Sequence, residues 1–74
     1  MTKSEIMALD KSIITPKQLV EINESEGLCL FGLGDSGYYT GCSWWSVEFE
    51  DGDNCNVYTK NTIENREYLF QNLL

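Results

Sequence analysis

The chain has 74 residues, enough for one small domain with a modest core. A domain of this size seldom encloses the deep cavity of a small-molecule active site. Hydrophobic residues make up 42% of the chain and aromatic residues 12%, which excludes the composition typical of a disordered protein. The formal net charge of −7 disfavours direct contact with nucleic acid or an anionic membrane, and it favours a basic protein partner. A charge of this size also serves solubility alone, so that alternative stays open.

The three cysteines are Cys29, Cys42 and Cys55. An odd number cannot form a complete disulfide framework within one chain, and without a CxxC pair or any histidine we expect no zinc site. We expect these thiols to lie on buried strands as small hydrophobic side chains, although a pairing between two of them stays open. With no signal peptide pattern and no run of about 20 apolar residues, the sequence predicts a cytoplasmic protein that does not associate with membranes.

A weak helix pattern covers residues 2–11. Thr2 and Glu5 have the spacing of a capping box, in which each side chain bonds the other residue's backbone N–H. Two alternatives stay open for this segment, a helix that packs on the domain or an arm that reaches a partner.

A clearer helix pattern covers residues 15–26. Thr15 is a suitable N-cap, Pro16 occupies the first helical position, and Gln18 completes a capping box. Gly27 is placed to end the helix in the left-handed conformation.

A β-region follows the two helices. Residues 28–31 form an apolar run typical of a buried strand, and glycine-rich residues 32–37 predict a turn. Residues 38–50 are rich in aromatic and β-branched side chains, which predicts a long strand. Residues 51–54 contain an Asp-Gly pair typical of a hairpin turn, and residues 55–59 form a third strand.

The last predicted element is a helix capped by Asn61, with Glu64 three residues later. Its expected buried stripe consists of Ile63, Leu69, Phe70, Leu73 and Leu74. The order (α)-α-β-β-β-α predicts a single α+β domain over residues 1–74, a three-stranded antiparallel β-meander with helices packed on it.

Three motifs suggest chemistry but have simpler interpretations. Residues 32–37 match G-x-G-x-x-G, a motif that holds phosphate where it opens a helix. Here the motif precedes a strand and has no lysine or arginine nearby, so a hairpin loop is favoured over a phosphate site. Residues 51–54 resemble the start of a calcium loop, but the twelfth position is Thr62 instead of Glu. Glu48 and Glu50 share a strand face at roughly 7 Å, and solvated carboxylates are favoured over an acid–base pair. We therefore expect no catalytic residue, metal or cofactor, and no enzyme activity.

The adjacent residues Trp44 and Trp45 must point to opposite faces of their strand. Trp45, Val47 and Phe49 form the expected core face, which directs Trp44 to the other face. An aromatic side chain with a rim of acids is typical of a site that docks a basic protein. The predicted partner-binding set is Tyr38, Tyr39, Trp44, Glu48, Glu50, Asp51 and Asp53. The alternative is that residues 2–11 cover this face.

These features favour a non-enzymatic, protein-binding inhibitor. In size and acidity the chain resembles phage-encoded blockers of bacterial defence nucleases such as anti-CRISPR proteins, a likeness of type that no family motif supports. The expected protein is encoded by a phage or mobile element and blocks a basic nucleic-acid-binding host protein, such as a nuclease complex. Its acids would stand in for phosphates, and Trp44 would anchor the contact. The alternatives are a toxin immunity protein and a structural or regulatory subunit that forms homodimers or hetero-oligomers.

Overall fold

A computed structural model describes residues 1–73 of the chain. The three strands form one antiparallel sheet in which each strand pairs with the next along the chain, which confirms the predicted α+β meander. None of the helices in this range has the length and apolarity needed to cross a bilayer. In chain order the elements are α1 (Lys3–Met7), α2 (Pro16–Asn23), β1 (Leu28–Asp35), β2 (Cys42–Phe49), β3 (Asn54–Lys60) and α3 (Ile63–Leu73).

Both N-terminal helices begin where the sequence predicts and end earlier. Thr2 and Thr15 are the N-caps, and each forms its complete capping box. α1 is a helix of only five residues, and turns replace the rest of the predicted segment. α2 ends at Asn23, and the Ser25 hydroxyl satisfies a carbonyl of its last turn by donating to Glu21 at 3.1 Å. Gly27 has a positive φ of 77° but lies beyond the C-cap, so it shapes the entry to β1 instead of ending the helix.

The cap of α3 differs from the prediction. The Thr62 hydroxyl accepts a hydrogen bond from the Asn65 N–H at 3.1 Å, so Thr62 occupies the capping position expected for Asn61. The Asn61 side chain instead accepts from Nε of Arg66 at 2.6 Å.

The buried stripe of α3 is also narrower than predicted. Leu69 is buried and Leu73 packs against the core, but Ile63 and Phe70 are 73% and 69% exposed. These two residues are seven positions apart and therefore share a helix face, which here points outward. Leu74 lies outside the described residues.

β1 is longer and more exposed than the predicted buried strand. It includes residues 32–35 of the predicted turn, with a bulge between Gly32 and Gly34. Leu28 and Leu30 point to the core, whereas Cys29 and Phe31 are exposed because helices cover only one face of the sheet.

The predicted strand over residues 38–50 is shorter in the structure, since residues 38–41 belong to the connection between β1 and β2. The predicted turn at residues 51–54 does connect β2 and β3 as a hairpin. Within it, Asp51 accepts a hydrogen bond from the Asp53 N–H at 3.1 Å, a local bond typical of turns.

The core lies between one face of the sheet and the helices. The predicted core face of β2 is confirmed, because Val47 is fully buried and Trp45 and Phe49 are partly buried against the core. The buried core residues are Ile6, Ile14, Leu19, Ile22, Val47, Cys55, Val57 and Leu69.

The outer edge of β3 is covered by a segment that the sequence did not identify. Residues 11–14 run parallel to β3, and Ile13 forms a bridge with Tyr58. The Ile14 N–H donates to the Tyr58 carbonyl at 2.7 Å, and the Tyr58 N–H donates to the Ser12 carbonyl at 3.0 Å. Within residues 1–73, β1 is therefore the only uncovered edge of the sheet.

Candidate protein-binding face

The face of the sheet opposite the core is called the open face below. All three helices contribute to the core on the other side. In particular, Ile6 of α1 is buried, and its carbonyl lies 3.8 Å from Sγ of Cys55 on the core face of β3. The alternative that residues 2–11 cover the open face is therefore wrong.

Three large aromatic side chains are exposed on the open face and form what we call the aromatic patch. Phe31 is 47% exposed on β1, Trp44 is 37% exposed on β2, and Tyr38 is 65% exposed in the connection between these strands. Phe31 pairs with Ser46, two positions from Trp44, so Phe31 and Trp44 are close neighbours on one face.

Trp44 is held in place across the hairpin. Its indole Nε1 donates to Oδ1 of Asn56 at 2.9 Å, and Tyr58 is its directly opposite partner on β3. The indole is thus oriented before any partner arrives, which lowers the entropy cost of binding through it.

Tyr38 extends the patch from Trp44 over β3. Its ring stacks on Tyr58 with centroids 5.9 Å apart, while Tyr39 meets Tyr58 edge-to-face at 4.9 Å. The Tyr39 hydroxyl donates to the Lys11 carbonyl at 2.7 Å, which ties the connection to the segment beside β3. Burial, and secondarily the neighbouring Tyr38 and Tyr39, raise the pKa of Tyr58, so its phenol stays neutral at physiological pH.

The predicted acids fall into two groups. Glu48 is exposed on the open face next to Cys29 on β1, and Glu50 follows the end of β2, where its N–H donates to the Gly27 carbonyl at 3.1 Å. Both carboxylates line one shallow depression. Glu48 is a diagonal cross-strand neighbour of Phe31, because it lies two positions from Ser46, whereas Glu50 lies at the end of β2 next to Asp51.

Asp51 and Asp53 lie at the hairpin turn. Phe49, where β2 ends before this turn, is about 16 Å along the strand from Trp44, a span of five residues. Nζ of Lys3 contacts both carboxylates, at 2.6 Å from Asp53, and lies 5.4 Å from the Phe49 ring centroid. The hydrogen bond from Lys3 lowers the pKa of Asp51 and raises that of Lys3. The two aspartates therefore anchor α1 and are separated from the aromatic patch.

Phe31 is a surface residue that was not predicted as part of the binding face. Strand alternation could have predicted its exposure, because adjacent residues on a strand point to opposite faces and Leu28 and Leu30 face the core. The apolar character of the whole run concealed that alternation.

The cysteines are divided between the core and the surface. Cys42 and Cys55 are buried as predicted, whereas Cys29 is exposed on the open face, which corrects the expectation of three buried thiols. All three are free thiols. Residues 1–73 contain no group of three or more His, Cys, Asp or Glu side chains arranged to hold a metal ion.

Comparison of the chain with protein-family models, curated proteins and solved structures gives no match.

Proposed function

We propose that this chain is a non-enzymatic protein-binding domain whose partner docks on the open face. The observation that supports this proposal best is the joint exposure of Phe31, Tyr38 and Trp44 on a sheet face that no helix within residues 1–73 covers. Tryptophan and tyrosine are enriched among residues that dominate binding energy, and clustered exposed aromatics are typical of interaction surfaces.

The charge of the chain favours a basic partner. Twelve acids oppose five bases, and Lys3 already neutralises part of the charge of Asp51 and Asp53. Glu48, the diagonal neighbour of Phe31, and Glu50, at the end of β2, form no ion pair within residues 1–73. They are therefore available to a cationic surface, and such complementarity accelerates association and selects the partner.

Inhibition is the specific form of this proposal. A domain with a net charge of −7 that docks on a basic nucleic-acid-binding surface competes with phosphate for the same cations. Trp44 would supply the apolar anchor, while Glu48 and Glu50 would occupy positions that phosphates take. A nuclease complex is one partner with this chemistry.

The test is quantitative affinity capture from a lysate of the source cell with three baits. These are the unchanged chain, Trp44→Ala, and Tyr68→Ala as the control, since Tyr68 is similarly exposed (38%) on α3. Each capture is run at low salt and at about 1 M salt, where charges are screened within about 3 Å.

We expect the unchanged chain and Tyr68→Ala to capture the same basic protein at low salt. Trp44→Ala should not capture it, and high salt should release it from the other two baits. Inhibition is then tested by titrating the purified chain into a nucleic-acid-binding assay of that partner. Equal capture by the unchanged chain and Trp44→Ala would refute docking through the aromatic patch.

A second candidate function is self-association through the uncovered edge of β1. This eight-residue strand contains neither lysine nor proline, residues that commonly protect sheet edges. The bulge between Gly32 and Gly34 opposes this pairing, because it distorts the edge. Sedimentation over a range of concentrations distinguishes the two candidates: a dimer that persists at high salt favours self-association.

A further inference from the structure

A groove lies on the other side of the sheet from the aromatic patch. It has a volume of about 450 Å³, within the range of small-molecule sites. It forms because α3 packs on α2 and leaves one end of the sheet's core face uncovered. Leu30, Trp45 and Thr59 line it from the strands, and Leu69 and Leu73 line it from α3.

Trp45 gives this groove a preformed apolar wall. Its indole lies against Gly32, where an added Cβ would be 3.0 Å from Cζ3 of the ring. The indole Nε1 donates to Oγ1 of Thr59 at 3.0 Å, so the only polar atom of the ring is already satisfied. Phe70, 69% exposed, adds a second aromatic ring to the lining. An apolar ligand would therefore meet aromatic surface without displacing a hydrogen bond of Trp45.

The charge of the groove is opposite to that of the chain. Lys60 and Arg66 are among its lining residues, and none of the twelve acids is. Lys60 follows Thr59 on β3, so strand alternation directs its side chain away from the face that carries Thr59 and Trp45, and Arg66 is the cation on the groove side. Neither cation forms an ion pair within residues 1–73. Arg66 is oriented by the bond from its Nε to Asn61, which leaves its terminal guanidinium nitrogens free of side-chain partners in the described chain.

We propose that this groove binds a small amphipathic carboxylate. Its alkyl or aryl body lies against Trp45, Leu69 and Leu73, and its carboxylate pairs with Arg66. Charge complementarity supports this occupant, because an anionic head meets the Arg66 guanidinium while the acidic rest of the domain repels it. Guanidinium groups bind carboxylates in a bidentate geometry, which gives Arg66 the leading role in recognition.

The test uses decanoate as the probe, below its micelle concentration, with decanol as the uncharged match. Binding is followed by tryptophan fluorescence in Trp44→Phe, where Trp45 is the only reporter. Trp45→Phe is the control variant, since its only tryptophan is then Trp44, which lies on the opposite face of the sheet.

We expect saturable decanoate binding that changes Trp45 fluorescence and leaves Trp44 fluorescence unchanged. Arg66→Gln weakens binding by roughly tenfold or more, the loss typical of charge-assisted hydrogen bonds. Lys17→Gln, an exposed cation outside the groove, leaves it unchanged. Phe70→Ala also weakens binding. Because Phe70 is highly exposed, this substitution leaves the fold intact, and the weaker binding reports the lost contact.

Equal affinity for decanol and decanoate, or unchanged affinity in Arg66→Gln, would overturn the proposal. It would also fail if a short peptide ending in Leu-Leu changed Trp45 fluorescence and decanoate did not, because the occupant would then be a polypeptide terminus. Capture of a protein partner through Trp44 is independent of all these results.

Discussion

The indole of Trp45 lies directly against the backbone of Gly32, its cross-strand partner, in space that any larger side chain would occupy. A Cβ at residue 32 would contact the ring edge at 3.0 Å, closer than ordinary packing allows. Cross-strand pairs of glycine with an aromatic residue are a recognised way to stabilise a glycine-containing edge strand.

This relationship predicts that Gly32→Ala lowers the free energy of unfolding by about 1–3 kcal/mol, the usual cost of overpacking. Urea denaturation followed by fluorescence measures the change. Gly37→Ala is the matched control, because no atom lies within 4 Å of an added Cβ there and its φ is not positive. Equal stability of the two variants would show that Trp45 moves aside without cost.

Trp45 and Trp44 should differ in their contribution to stability. We expect Trp45→Ala to lower the free energy of unfolding by about 2–3 kcal/mol. This is less than the loss of about 3–5 kcal/mol typical of a fully buried aromatic side chain, because the groove leaves part of the ring exposed. Trp44→Ala should cost about 1 kcal/mol or less, since the ring is 37% exposed and its hydrogen bond to Asn56 lies at the surface. Thermal and urea melts of both variants check the order, and a reversed order would contradict the assignment of the two faces.

The contact of Lys3 with Asp51 and Asp53 predicts a pH-dependent contribution to stability. Because the folded pKa of Asp51 lies below its ordinary 3.8, the contribution is present above that pH and disappears as the pH falls through the lowered value. The pKa of Lys3 is raised above 10.5, so the contribution also disappears as the pH rises beyond that raised value. The measurement is the Tm of Lys3→Met against pH, with Lys17→Met as a control of equal charge change. A gap between the two variants that is the same at pH 2 and pH 7 would contradict the ion pair.

The thiols should react in two classes. Cys29 is exposed, whereas Cys42 and Cys55 are buried, and burial raises the pKa of Cys55, with Asp10 adding to the effect. We expect Ellman's reagent to modify one thiol promptly in the folded protein and the other two only in denaturant. Cys29→Ser should remove the prompt phase, and a prompt phase that survives this substitution would place another thiol at the surface.

The cap of α3 offers a test of a local correction. Thr62→Ala should lower the free energy of unfolding by about 1 kcal/mol, the typical loss of an N-cap. Asn61→Ala should cost less, because it removes only the exposed contact with Arg66. Urea denaturation of the two variants compares them directly, and a larger loss in Asn61→Ala would restore Asn61 as the cap.

Features determined by near neighbours in the chain were predictable. The capping boxes of Thr2 and Thr15 and the hairpin turn after β2 depend on residues within a few positions of each other. The division of Trp44 and Trp45 between two faces followed from strand geometry alone.

Features that join distant parts of the chain were not predictable. The pairing of residues 11–14 with β3 and the contact of Lys3 with the hairpin turn connect positions more than 40 residues apart. No local pattern encodes either contact. The second contact pairs Asp51 and Asp53 with Lys3, so the predicted set of seven site residues could not be divided beforehand into acids that Lys3 contacts and acids that it does not.

The segment that covers the outer edge of β3 has a consequence for polymerisation. A sheet with two bare edges can add copies at both ends and grow into a fibril. Within residues 1–73 only β1 offers an edge, so two copies that join there use the only edges available. Assembly through the sheet edges would then stop at a dimer.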